Sequence, residues 1–409
     1  MFKNMKTYPF LKSKRCYRGL LLIIIFIWLA VPPDPFSQVS YSRLVTDRHG
    51  ELLRVTLAKD EQYRFSPDSL QLPEKYVRAV LCFEDKRFFS HHGVDPLALL
   101  HALWTNLRDG RIVRGGSTLS MQIARLDRPK PRTLFNKLRE CLTAVKLDLH
   151  LSKHNIFILY ASHVPMGGNT VGLPAAAQRY FGKPPRDLTW AESALFAVLP
   201  NSPSMINLEK QRGLLQKKRN LLLQKLQESG CMDSLTLRLA CQEPLPRLSG
   251  SMVFKAPHFC NHVLNQYSGH RIRTTLEPDI QNNLAAVLNT YRGYFEKHGI
   301  QNYAALVAET STGAVRGYIG SQGFFDLPGG QVDGVQSARS TGSLLKPYLA
   351  ARAMDRGPWA LQTRLQDVPA FFGNFSPQNA SGTFHGLVSR ELMLRYSLDI
   401  PAVFLPQSY

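Results

Sequence analysis

Acidic residues are scarce in this chain: 30 Asp and Glu stand against 50 Lys and Arg, leaving a formal charge of +20 over 409 residues. Such a surplus favours anionic partners, whether nucleic acid, an anionic membrane surface or an anionic substrate. Nucleic acid lacks its usual signs, because the basic residues are spread along the chain and neither an RNP motif nor a Cys/His finger is present. Six cysteines (Cys16, Cys82, Cys141, Cys231, Cys241 and Cys260) form no CxxC pair and show no metal-ligand spacing. Cys82 and Cys141 sit in apolar helical runs as small core residues, and a Cys231–Cys241 disulfide is allowed. No internal repeat is evident. Hydrophobic content is an ordinary 44%, so the bulk is globular, with room for two or three domains.

Long apolar runs are also missing, with one exception. "GLLLIIIFIWLAV" follows Lys3, Lys6, Lys12, Lys14, Arg15 and Arg18, and is stopped by Pro32 and Pro33. The run is short against the roughly 20 residues of a full span. A signal-peptide core is one reading. No small-x-small cleavage site follows, since Trp28 and Pro35 occupy the positions that would need a small residue. We therefore expect an uncleaved single-pass anchor with its basic end in the cytoplasm and everything after Pro33 outside.

The rest of the chain divides by pattern. We expect a basic tail (1–18), the anchor (19–33), a neck (34–66) with strand-like alternation around "DRHGE", a helical domain (67–232), a linker (233–272) and a mixed segment (273–409). Asp95 before Pro96 reads as an N-cap with Pro at the first helical position. "TLFNKLRECLTAVKLDLHL" and "SKHNIFILYASHV" read as consecutive helices. Thr189 and Glu192 form a capping box ahead of "SALFAVL", which makes Glu192 structural. "NYAALVAETSTGAVRGYIGS" reads as a β-hairpin.

Three clusters could carry chemistry. In "FEDKRFFSHHG", a helix continued through Phe88 puts Val77, Val80, Leu81 and Phe88 on one apolar face with Glu84 in its middle. A carboxylate there costs several kcal/mol unless paired, hydrated or used, so these residues leave a buried ion pair and catalysis both open. "RGGSTLSMQIAR" (Arg114 to Arg125) offers a Gly-Gly approach, two hydroxyls and flanking arginines, suited either to a pyrophosphate or to a plain capped turn. Lys137 and Glu140, one helical turn apart, are by themselves an ordinary surface ion pair.

Taken together and in this order, the clusters resemble the peptidoglycan glycosyltransferases of glycosyltransferase family 51. Glu84, Asp85, Phe88, His91 and Gly93 match its Glu-Asp-x-x-Phe-x-x-His-x-Gly motif. Gly115, Gly116, Ser117, Thr118, Ser120 and Gln122 match its Gly-Gly-Ser-Thr block. Lys137 and Glu140 match Arg-Lys-x-x-Glu, with Asn136 where many members have Arg. "GGNTVGLPAAAQRYFGK" and "LTWAESALFAVLPNSPS" resemble later blocks, so the likeness covers essentially 45–230. Met121 is similar to the 1C type of class A penicillin-binding proteins. The resemblance implies a mainly α, lysozyme-like domain whose floor lies in the membrane surface. It implies Glu84 as general base and Glu140 as second acid, steadying a leaving pyrophosphate through a divalent cation such as Mg2+. Asp85, Phe88, His91, Gly115, Gly116, Ser117, Thr118, Gln122, Arg125 and Lys137 would bind substrate. Lipid II and the growing glycan strand would be the substrates, at the bacterial inner membrane with the catalytic domains in the periplasm, alongside other cell wall synthesis proteins. No protein-held metal site and no nucleic acid are expected.

The mixed segment resembles the start of an α/β, β-lactamase-like serine transpeptidase domain. "ARSTGSLLKPYLAARAMD" carries Ser343-x-x-Lys346, and "LRYSLDIPAV" supplies Ser397 of an S-x-N block with Asp399 in place of Asn. No K-T-G follows, so this half is expected to be an incomplete, inactive remnant. Two rival readings remain: a non-catalytic chain that binds glycan or partner proteins, and a serine acyl-enzyme (D-Ala-D-Ala transpeptidase or carboxypeptidase) acting through Ser343.

Overall fold

The computed structural model describes residues 27–28, 30–110, 115–201, 211–246, 252–325, 328–356 and 360–405. The expected basic tail and most of the expected anchor lie outside them. Among the described residues, no helix is long and apolar enough to cross a membrane.

Compact packing divides the chain between Val335 and Gln336. The first unit opens with strands β1 (Leu44–Thr46) and β2 (Leu52–Val55), paired antiparallel across the Asp47–Glu51 turn. Strands β3 (Tyr63–Arg64) and β4 (Thr170–Val171) pair in parallel. Helices then dominate: α1 (Glu74–Phe83), α2 (Pro96–Arg108), α3 (Leu119–Asp127), α4 (Leu134–His150), α5 (Lys153–His163), α6 (Leu173–Phe181), α7 (Trp190–Val198) and α8 (Arg212–Glu228). Their starts follow local chemistry. Asp95, Thr118, Thr133, Ser152 and Thr189 each accept a hydrogen bond from a backbone N–H of the first turn. The Thr189–Glu192 capping box is present in both directions, and Glu192 also pairs with Lys183 at 2.7 Å. Tyr76, Val80, Phe88, Leu119, Ile123, Phe157, Tyr160 and Phe196 belong to the core that α1, α3, α5 and α7 enclose.

The stretch expected as a linker is structured. It holds α9 (Ser234–Gln242), α10 (Pro257–Gln266) and β5 (Arg271–Arg273), and β5 pairs in parallel with β1. Helix α11 (Pro278–Lys297) and the hairpin β6 (Ala305–Ala308) and β7 (Val315–Ile319) follow. Val45, Leu53, Phe259, Val263, Leu276 and Tyr318 share one small core. That core joins the neck to the hairpin, which is why compactness breaks later than the expected 272/273 junction. Cys231 and Cys241, allowed to pair, are both free thiols.

The second unit contains α12 (Lys346–Arg356), the antiparallel pair β8 (Arg364–Asp367) and β9 (Gly386–Ser389), α13 (Arg390–Arg395) and α14 (Asp399–Phe404). Ala353, Leu365, Val388, Met393 and Leu398 form its core.

Candidate active site

Helix α1 does not run through Phe88; it ends at Phe83, and Glu84 is its C-cap. The chain then turns sharply, because the Asp85 carboxylate is used elsewhere: it accepts the Leu119 N–H at 3.1 Å and His91 Nε2–H at 3.0 Å. Because a carboxylate only accepts, Nε2 of His91 is the donor in that contact, and His91 Nδ1 is buried without a hydrogen-bond partner among the described residues. Phe88, past the helix end, is still buried, edge-on to Phe157. Gly93 (φ +81) closes the turn where a Cβ would stand 2.2 Å from the Ala144 carbonyl oxygen of α4. Only glycine permits that approach.

Glu84 itself is partly buried and accepts Gln122 Nε2–H of α3 at 2.9 Å. Burial raises its pKa above the ordinary carboxylate value, with Asp85 adding to the rise, while the Gln122 hydrogen bond and the charge of Arg125 partly oppose it. One turn beyond Gln122, the Arg125 guanidinium has no hydrogen bond or ion pair among the described residues. It is a cation left for something else.

Across the Gly-Gly loop lies a second group. Lys137 Nζ donates to Ser117 Oγ at 2.6 Å and to Glu140 Oε2 at 3.1 Å. Gly115 has open space where a side chain would be, whereas a Cβ on Gly116 would meet Leu99 at 3.0 Å. Thr118 is buried, donating to the Gly93 carbonyl at 2.5 Å and accepting from Met121 N–H. Asn136 donates to the Pro131 carbonyl at 2.9 Å, and Arg114 lies outside the described residues.

Of the expected site residues, the structure therefore joins Glu84 with Gln122, and Ser117 with Lys137 and Glu140. Asp85, Phe88, His91 and Thr118 turn into protein, and their contacts hold the α1 end, the α3 start and Gly93 together. Glu140 is engaged by Lys137, and among the described residues no group of three His, Cys, Asp or Glu could hold a metal ion.

The order of these clusters finds a match among known proteins. The family model described as transglycosylase matches residues 49–227. This segment is a transglycosylase domain. Over nearly its whole length the chain is similar to penicillin-binding protein 1C of Escherichia coli, with 33% identity over 98% of this chain and 53% of that protein. Penicillin-binding protein 1A of Aquifex aeolicus is 33% identical over 64% of this chain and 38% of its own length. Penicillin-binding protein 1B of Vibrio cholerae is 29% identical over 82% of this chain and 46% of its own length. The chain thus spans about half or less of the length of these relatives.

Within the transglycosylase domain, two tyrosines escaped the sequence reading. Tyr76 and Tyr160 are fully buried, their hydroxyls have no hydrogen-bond partner among the described residues, and burial followed by the charge of Glu84 pushes both pKa values upward. Tyr76 had a local signal, lying two turns before Glu84 on the 76–80–84 face. Tyr160 had none, because it arrives from α5.

In the second unit, Ser343 is exposed in a 3-10 turn (Gly342–Leu345) and Lys346 is buried at the start of α12. Lys346 Nζ donates to the Ser397 carbonyl (2.6 Å), to Ser397 Oγ (3.3 Å) and to Asp399 Oδ1 (2.6 Å). The structure brings Lys346 and Ser397 together; among the described residues no hydrogen bond joins either to Ser343. Ser397 sits at φ +52, in the left-handed region.

Proposed function

We propose that this chain is a membrane-surface peptidoglycan glycosyltransferase that polymerises lipid II for cell wall synthesis. The observation that carries the reading is Glu84: a partly buried carboxylate of raised pKa, held by Gln122 and near the charge of Arg125, at the Gly-Gly-Ser-Thr loop. Glu84 takes the proton from the 4-hydroxyl of the acceptor sugar. The freed oxygen attacks the anomeric carbon of the lipid-pyrophosphate-linked glycan. The bond from that carbon to the pyrophosphate oxygen breaks with inversion, and undecaprenyl pyrophosphate leaves with the electron pair. Arg125 and Lys137 meet the charge on the leaving group, with Ser117 and Glu140 orienting Lys137. No step is assigned to a divalent cation.

Gly115 and Gly116 let the backbone approach the pyrophosphate, and Asp85, Phe88, His91 and Thr118 keep Glu84 and α3 in register. An exposed apolar stripe on α2 (Leu97, Leu100, Trp104 and Leu107, each 61 to 73% exposed) supports placement on a bilayer. In this reading the bilayer is the bacterial inner membrane, with the catalytic domains on its periplasmic side and other cell wall synthesis proteins as neighbours.

The acyl-enzyme alternative is disfavoured by Asp399. Its carboxylate and the Ser397 carbonyl each accept from Lys346 Nζ at 2.6 Å, and among the described residues no hydrogen bond joins that lysine to Ser343. Two measurements test the whole. Glu84→Gln should lower lipid II polymerisation about a hundredfold or more, and wild-type speed in that variant sinks the assignment. A fluorescent penicillin should leave Ser343 without stoichiometric label; full labelling that disappears in Ser343→Ala overturns the inactive reading.

A further inference from the structure

On the core side of Glu84 lie two phenol groups that the reaction has not used. The Tyr76 ring comes from α1 and the Tyr160 ring from α5, and both are fully buried. Phe157 stands between them, its ring centre 6.1 Å from that of Tyr76 and 6.3 Å from that of Tyr160, edge-on to both. Phe88 packs edge-on to Phe157 in turn, 6.1 Å away. This aromatic packing fixes the two rings, yet neither hydroxyl has a hydrogen-bond partner among the described residues. Buried hydroxyls are rarely left so, because they have given up water for nothing.

Tyr76, Val80 and Glu84 follow one another at four-residue steps, so α1 and its C-cap carry them in one row. The charge of Glu84 acts on both phenols, and together with burial, the larger cause, it keeps them protonated. Each is thus a donor without an acceptor. A hydroxyl that can rotate turns its dipole along the local field, and a core of low dielectric strengthens that field. Charged groups on the neighbouring elements leave Glu84 as the anion that sets it. Asp85 is taken by Leu119 and His91. On α3, Arg125 opposes Glu84 at Tyr160 but acts there less strongly, and Asp127 accepts the Phe36 N–H. On α5, Lys153 pairs with Asp148, and His163 bonds Tyr41 and the Leu159 carbonyl. On α7, Glu192 serves the capping box, and on α8 the buried Arg219 donates to the Cys241 and Glu243 carbonyls.

We infer that Tyr76 and Tyr160 are positioning residues for Glu84, whose O–H groups turn toward its carboxylate and hold it in the anionic form that accepts the sugar proton. The inference rests on the reading of Glu84 as the base. Two neutral donors offset part of the cost of burying the carboxylate and add no counter-charge at the base.

The test uses Tyr76→Phe, Tyr160→Phe and the double variant in the full chain, because Phe keeps the ring and removes only the hydroxyl. In kcat/KM for lipid II against pH, the acid limb should move upward by about half a unit in each single variant and further in the double. Thermal melts give a readout that does not pass through activity. Relative to wild type, each variant should melt lower at pH 7.5 than near about pH 4, because only the ionised carboxylate gains from the phenol dipoles. An unmoved acid limb in all three variants overturns the inference. So does a melting difference that is equal at the two pH values, or a variant that no longer melts cooperatively, since either marks a packing role alone. Glu84→Gln separates this failure from that of the underlying reading. If the Gln variant polymerises at wild-type speed, the base assignment itself is lost; if it is inactive beside an unmoved limb, only the role of the tyrosines is lost.

Discussion

Glu84 serves two opposed demands, and they separate by pH. A base must be deprotonated at working pH, while the apolar setting of Glu84 favours its neutral form. Unfolded, a glutamate titrates near about 4.3; folded, Glu84 holds its proton to higher pH. Below the unfolded value both states are protonated, and nothing is lost. As pH rises through the folded value the native site must shed its proton against desolvation, and stability falls. Each unit of upward shift corresponds to about 1.4 kcal/mol. Glu84→Gln should therefore melt above wild type at pH 7.5 while being inactive, with the gap closing near about pH 4. Thermal melts at the two pH values check this, and equal melting at pH 7.5 contradicts it. Gln122 acts in the other direction, since its hydrogen bond lowers the Glu84 pKa. In Gln122→Met the acid limb of the kcat/KM profile should move to higher pH. An unmoved limb would show that Gln122 does not tune the base.

The elements that place these residues depend on a few contacts of very different legibility. Asp95–Pro96, Thr189–Glu192 and the β6–β7 hairpin were readable because a cap or turn is decided within four residues of chain. Glu84 was recognisable as a carboxylate on a core-facing side, but not as a C-cap. What ends α1 at Phe83 is Asp85 reaching Leu119 and His91, a contact made across 34 residues in the first case. The parallel pairing of β1 with β5, and the arrival of Tyr160 from α5 near Glu84, are equally non-local. Gly93 is the junction that sequence could flag and only structure could explain, because its missing Cβ admits the Ala144 carbonyl. Gly93→Ala combines a left-handed backbone with a backbone clash and should cost about 2 to 4 kcal/mol. A fall in Tm of about 5 to 10 °C is expected. A melt within a degree of wild type would mean that the turn and α4 move apart freely.

At the scale of the whole molecule, the proposed placement on a bilayer rests on two features that respond differently to salt. The +20 charge attracts anionic lipid over distances set by screening, about 8 Å at physiological ionic strength and about 3 Å at 1 M. The α2 stripe acts by burial of apolar area, which salt does not weaken. Leu97, Leu100, Trp104 and Leu107 recur at steps of three, four and three residues, so they share one face of α2 and expose it together. Trp104 makes the separation measurable, because a tryptophan seated among lipid chains is quenched by brominated acyl chains whatever holds the rest of the protein. In nanodiscs, quenching of Trp104 should be the same at 0.15 M and 1 M salt. The advantage of anionic over neutral lipid in lipid II turnover should shrink toward none over that range. Leu100→Glu should reduce the quenching without touching the salt dependence, since it breaks the stripe and leaves the cations in place. If high salt instead releases Trp104 from the lipid, the stripe does not insert, and charge alone holds the transglycosylase domain at the surface.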